Sequence, residues 1–295
     1  MNNSAAADRS AAIALMVAAV LCFAALDATA KHLSQTFSVP MLVWARYVVH
    51  ASLMTVVLAP SIGSRLLSSA RPARLALRAL LLLGTTGFAM AAFQRMPLAE
   101  TTALLYLAPL IVGLLAGPLL AERVTAKRVW ALILGFAGVL LIVRPGAGLS
   151  AAGVGFALLA ALCYAFYQLM TRHLAPLESA LTMIYYTGLV GAATMTLALP
   201  LYWQGPWPEQ ASDWALIVSL GLWGGFGHWL LQRAFRLAPA TFLAPFSYVQ
   251  LLWAALLGGL LYDHRPDTLA VLGMAIIVGA GILTASEEWR RSSAS

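Results

Sequence analysis

Ten stretches of this chain are apolar for long enough to cross a lipid bilayer, and that property removes almost every soluble architecture from consideration. They run approximately over 10–32, 40–61, 73–94, 98–120, 127–144, 151–172, 179–202, 213–235, 239–261 and 267–286. A helix crossing the hydrocarbon needs roughly 17 to 25 such residues, because every backbone N–H and C=O must find its partner inside the segment. Hydrophobic residues make up 61% of the chain and charged residues 10%, and most of the runs have no water-facing stripe. The longest connections, 61–72 and 201–212, span about a dozen residues each, too few for a second domain. Residues 1–295 are therefore read as a single transmembrane domain, with function residing among its helices.

The first run follows Arg9 and contains Ala28-Thr29-Ala30, which mimics a signal-peptide cleavage site. It also recurs inside the chain, and a segment reused internally is expected to remain a membrane helix. LCFAALDATAKHL at 21–33 returns as LCYAFYQLMTRHL at 162–174, with five of thirteen positions identical. The echo continues without gaps from Ala92–Leu141 onto Ala234–Leu283, where Ala92, Phe93, Pro97, Tyr106, Leu110, Leu114, Leu115, Gly117, Leu119, Arg123, Val129 and Leu141 all reappear 142 positions later. Repeat one covers about 10–144 and repeat two about 151–286, five helices each. Because five is odd, the second copy must insert upside down. The expected fold is an all-α integral membrane protein of ten transmembrane helices in two inverted-topology repeats, a recurrent plan of secondary carriers.

The net charge of +7 is a statement about topology. With the N-terminus inside, the cytoplasmic face receives Arg9, Arg65, Arg71, Arg74, Arg78, Arg123, Lys127, Arg128, Arg172, Arg233, Arg236, Arg290 and Arg291. The outer face receives only Lys31, Arg95, Arg144 and Arg265. Thirteen against four obeys the positive-inside rule and predicts both termini in the cytoplasm of a bacterial-type inner membrane. No run of basic residues interleaved with aromatics suggests a nucleic-acid surface.

The segments AFQRMPLAETTALLYLAPLIVGLLAGPLLAERVTAKRVWALILGFAGVLLIV and AFRLAPATFLAPFSYVQLLWAALLGGLLYDHRPDTLAVLGMAIIVGAGIL resemble the EamA-type repeat of the drug/metabolite transporter superfamily, and the likeness covers essentially the whole chain. It implies an inner-membrane carrier, often an exporter of amino acids or related metabolites, with a central cavity lined mainly by helices 1, 3, 4, 6, 8 and 9. The second copy departs from the pattern at Asp263-His264-Arg265-Pro266, where the first has Ala121-Glu122-Arg123-Val124.

Polar side chains in hydrocarbon are costly unless they meet one another or water, so their distribution marks the helices that line a path. Helices 5 and 10 have almost none and read as scaffolding. The candidates for the substrate cavity are Tyr106 and Tyr248, which occupy equivalent repeat positions, with Tyr164, Gln168, His228, Trp229 and Thr102 as neighbours. Interhelical packing is the competing reading for any one of them. Asp27 and Arg46 each lie about six residues, or roughly 9 Å, below the outer surface. They are expected to form a structural ion pair, with Asp27 as a coupling-proton or substrate-amine site the other reading. Glu100 stands at the outer start of helix 4, where water can reach it.

The sequence contains no HExxH, GxSxG, Walker loop or CxxC, and Cys22 and Cys163 sit mid-helix, where they fill space. No cofactor, metal site or catalytic residue is expected. Gly113/Gly117 and Gly221/Gly225 match GxxxG and predict close packing within the bundle, while oligomeric state stays open. The favoured function is export of small neutral or zwitterionic metabolites, with amino acids, aromatic ones included, ahead of nucleobases and hydrophobic drugs. A membrane-embedded enzyme or receptor is the alternative of another class. A phosphorylated substrate would need several cations, and only Arg46 is counted at depth.

Overall fold

The computed structural model describes residues 2–120, 125–144, 146–202, 205–238 and 240–292. Their regular structure is helical throughout: α1 (Asn2–Leu33), α2 (Val39–Ile62), a short 3-10 turn (Gly63–Leu67), α3 (Pro72–Arg95), α4 (Leu98–Leu105), α5 (Ala108–Leu120), α6 (Ala126–Val143), α7 (Ala151–Leu174), α8 (Ala180–Tyr202), α9 (Ala211–Leu237), α10 (Ala240–Ser247), α11 (Val249–Tyr262) and α12 (Thr268–Ser292). These twelve α-helices make ten spans, because α4 with α5, and α10 with α11, each form one broken span. Among the described residues eight helices are long and apolar enough to cross a membrane, while α6 and α12 contain shorter apolar stretches, Val129–Val143 and Thr268–Leu283.

The broken spans place the interior polar groups. In the first, the N–H of Tyr106 reaches the carbonyls of Thr102 and Ala103 at 3.2 and 3.1 Å, and Leu107 bonds back to Leu104 at 3.1 Å. The α ladder tightens here because Pro109 follows. Proline donates no N–H and its ring would strike the carbonyl four residues earlier, that of Leu105. In the second, Pro245 precedes the break, and Leu251 donates to Tyr248 (3.0 Å) instead of Ser247. The carbonyl of Ser247 accepts a side-chain bond from the other repeat.

Helix pairing obeys a pseudo-two-fold axis. The most extensive packing is α1 on α9, α3 on α7, α6 on α12 and α2 on α8. Under the repeat correspondence α1–α9 and α7–α3 are one contact seen twice, and α6–α12 and α2–α8 map onto themselves. Every one of these pairs joins one repeat to the other. Lipid gives no hydrophobic drive between helices, so close approach and dispersion must hold them. At the α6–α12 crossing a Cβ on Gly138 would lie 2.6 Å from the carbonyl oxygen of Gly273, and one on Gly273 would lie 2.5 Å from that of Gly138. Only glycine admits this backbone contact. On α9, Gly221 leaves room for the Val49 side chain of α2, whose Cγ1 would lie 2.5 Å from a Cβ there.

Candidate substrate cavity

Two polar groups occupy the interface between the repeats. The first is built on the helix breaks. The rings of Tyr106 and Tyr248 meet with centroids 4.8 Å apart. The Tyr106 hydroxyl donates to the Ser247 carbonyl at 2.5 Å and also lies 3.2 Å from Gln250 Oε1. Gln250 in turn donates its amide to Asp27 Oδ2 at 3.0 Å. Tyr106 of repeat one, Gln250 of repeat two and Asp27 of repeat one therefore form a single hydrogen-bonded chain that crosses between the halves. Tyr248 is buried, its hydroxyl side lying against Gly281 of α12, where a β-carbon would collide with it.

The second group surrounds a cavity between α2, α3, α8 and α9, lined by Arg46, His50, Leu82, Thr187, Gly224 and His228. Arg46 and His50 are one turn apart on α2 and so share a face. His228 faces them from α9, its ring edge-on to Phe23 at 5.0 Å. Beside the cavity lies Arg78 of α3, 3% exposed. Its Nε donates to Thr171 Oγ1 at 2.7 Å, Nη1 to Thr187 Oγ1 and the Met183 carbonyl at 2.9 and 3.0 Å, and Nη2 to the Tyr167 hydroxyl at 2.7 Å. The guanidinium also lies over the Tyr167 ring, 4.4 Å from its centroid. Tyr164 stacks on Tyr167 at 5.8 Å.

Some candidates are not brought together. No ion pair joins Asp27 to Arg46: the carboxylate takes the Gln250 amide, and the guanidinium turns to the cavity. Equal depth on neighbouring helices did not give equal azimuth. Thr102 spends its hydroxyl on the Leu98 carbonyl of its own helix at 2.8 Å. Trp229 is 50% exposed and stacks on Phe226 at 5.5 Å, about 100° around α9 from His228. Gln168 shares the face of α7 that carries Tyr164 and Thr171, and is half-buried. Glu100, expected to be solvated, is 4% exposed and takes His264 Nε2 at 2.9 Å. Arg78 was counted among loop cations because it stands only six residues after Pro72 at the start of α3. Its separation from Arg74 by one full turn was the available signal. His50 and Thr187 carried no sequence signal apart from polarity inside an apolar run.

The chain matches the model of the EamA-like transporter family twice, over residues 10–144 and 151–286. It is 27% identical over 232 residues to an S-adenosylmethionine uptake transporter of Rickettsia prowazekii, covering 78% of each chain. It is 30% identical over 275 residues to a riboflavin transporter of Vibrio cholerae, covering 89% of each. With a pseudopaline exporter of Pseudomonas aeruginosa it shares 30% over 195 residues, 65% of this chain and 67% of the other. A crystal structure 23% identical in sequence superposes with a TM-score of 0.68, over 96% of this chain and 99% of that one, and has the same fold. A multi-pass helical membrane protein with two matching repeats, helices broken where those repeats meet and polar groups gathered at the breaks, this chain belongs to the EamA-like transporter family.

Proposed function

We propose that this transporter is a secondary carrier that moves small neutral or zwitterionic metabolites outward across a bacterial inner membrane, amino acids, aromatic ones included, being the leading substrates. The observation that carries the reading is the hydrogen-bonded chain Tyr106–Gln250–Asp27 at the two helix breaks, formed by side chains of both repeats. Carriers of inverted-repeat design bind substrate where broken helices meet near the midplane, and rocking one repeat against the other alternates access. A carboxylate on one side and an arginine on the other suit a solute bearing both signs of charge, and tyrosine rings suit an aromatic side chain. S-Adenosylmethionine, named for one relative, retains an amino acid's ammonium and carboxylate.

Flux into proteoliposomes of labelled phenylalanine, tryptophan, glutamine, uracil and a cationic dye tests the reading. Saturable movement of at least one amino acid is expected, and movement of none overturns it. Inside-out vesicles test direction, since an exporter accumulates substrate there. A reporter fused after Ser295 should be cytoplasmic. The riboflavin transporter among the relatives favours a second reading, a planar nitrogen heterocycle, for which uracil in the panel serves as probe.

A further inference from the structure

We propose that the cavity between α2, α3, α8 and α9 is the subsite for a carboxylate of the transported solute, gripped by Arg46 and His228. The proposal rests on the carrier reading and goes beyond it, because it requires an anionic group on the substrate.

Arg46 makes no hydrogen bond or ion pair among the described residues, although it lies inside a membrane span, and the same is true of the hydrogen-bonding atoms of His50. An arginine guanidinium has five N–H donors, and a neutral imidazole has one. Both residues are half-buried and their donors open onto the cavity, where an anionic group can reach them. Arg78 adds a second positive charge, and its acceptors among the described residues are neutral: two threonine hydroxyls, a tyrosine hydroxyl and a backbone carbonyl. It also orients the Thr187 hydroxyl at the cavity wall. Asp27 makes no ion pair with Arg46; its carboxylate accepts from Gln250. Arg46 and Arg78 thus place positive charge at a cavity whose lining residues include no carboxylate, and an anionic group is its complement. A phosphate would lack the second free guanidinium that such groups recruit, since Arg78 spends its donors within the protein. Uncharged nucleobases and cationic drugs would leave the charge standing.

The test uses the purified full-length protein and three probes that share a phenyl ring: 3-phenylpropionate, phenethylamine and phenyl phosphate. Binding is read by intrinsic tryptophan fluorescence and by the ligand-induced shift in melting temperature. 3-Phenylpropionate should bind at least ten-fold more tightly than phenethylamine. Arg46→Gln should weaken the acid by about ten- to a hundred-fold while leaving the amine unchanged, and Arg46→Lys should restore part of the loss. His228→Gln gives a second reading of the same preference should Arg46→Gln fail to fold. Equal binding of acid and amine, or an acid preference that survives both substitutions, overturns the proposal, and tightest binding of phenyl phosphate overturns the choice of carboxylate. The carrier reading is scored separately by flux: Arg46-dependent acid binding with no transport of any solute would keep the subsite and reject the carrier.

Discussion

Tyr106 donates its hydroxyl to the Ser247 carbonyl of the opposite repeat, so the residue acts on the backbone of the other half. Tyr106→Phe keeps the ring and removes the donor, leaving the Ser247 carbonyl without this bond inside the bundle. A loss of about 1–3 kcal/mol is expected, measured as lower thermal stability in detergent. Tyr106→Ala and Tyr248→Ala should in addition shift selectivity toward bulkier solutes; an unchanged profile in both would make the pair simple packing. At Asp27 the partner is Gln250 (3.0 Å). A double-mutant cycle of Asp27→Asn with Gln250→Ala should show a coupling above about 0.5 kcal/mol, and the cycle of Asp27→Asn with Arg46→Gln a smaller one. The reverse order would restore the Asp27–Arg46 ion pair. Rise per residue let the sequence propose a depth for these residues. Azimuth was not legible, because helices without a polar stripe give no phase from which to read facing.

At the scale of elements, the spans were readable because the bilayer imposes their length, and the repeat because matched Cys and His recur 141 positions later and matched Pro and Tyr 142 positions later. The two breaks were hidden. Pro109 follows the first and Pro245 precedes the second, so neither proline has a repeat counterpart and the shared tyrosine is the only common mark. The clamp between α6 and α12 was hidden as well, although both helices were expected to be scaffolding. There Asp267 caps α12, accepting from the Ala270 N–H at 2.8 Å, and takes Arg144 Nη2 at 2.5 Å from the end of α6. The Ala270 N–H, and after it Arg144, hold its carboxyl below the ordinary value of 3.8. A carboxyl depressed in the folded state contributes fully above its unfolded value and loses that contribution as pH falls through the folded one. The melting temperature should therefore fall on acidification below about pH 4, and part of that fall should vanish in Asp267→Asn. Parallel curves for the two proteins would show that the cap does not contribute.

For the whole molecule, the pseudo-two-fold packing means that rocking must exchange contacts at one end of the bundle for their counterparts at the other. At the end carrying Lys31, repeat two reaches repeat one through His264 to Glu100 (2.9 Å) and through the Tyr262 hydroxyl to the Ala28 carbonyl (2.6 Å). The loop bearing His264 is where the second repeat departs in sequence from the first. At the other end the links differ: Ser69 donates to Glu178 at 2.7 Å, and Tyr186 to the Leu67 carbonyl at 3.0 Å. If the repeats move as bodies, holding Glu100 to His264 must arrest transport. In a protein whose Cys22 and Cys163 are replaced by alanine, Glu100→Cys with His264→Cys would be joined by a short bifunctional thiol reagent with a cleavable disulfide. Flux in proteoliposomes should fall to background after cross-linking and return on reduction, while each single-cysteine variant treated alike keeps its activity. His264→Ala, which removes the link without a tether, should instead make the cavity more accessible from that end, raising the labelling rate of a cysteine placed at Thr187. Full flux through a completely cross-linked protein would show that this end does not open during transport and that the two repeats do not rock against each other there.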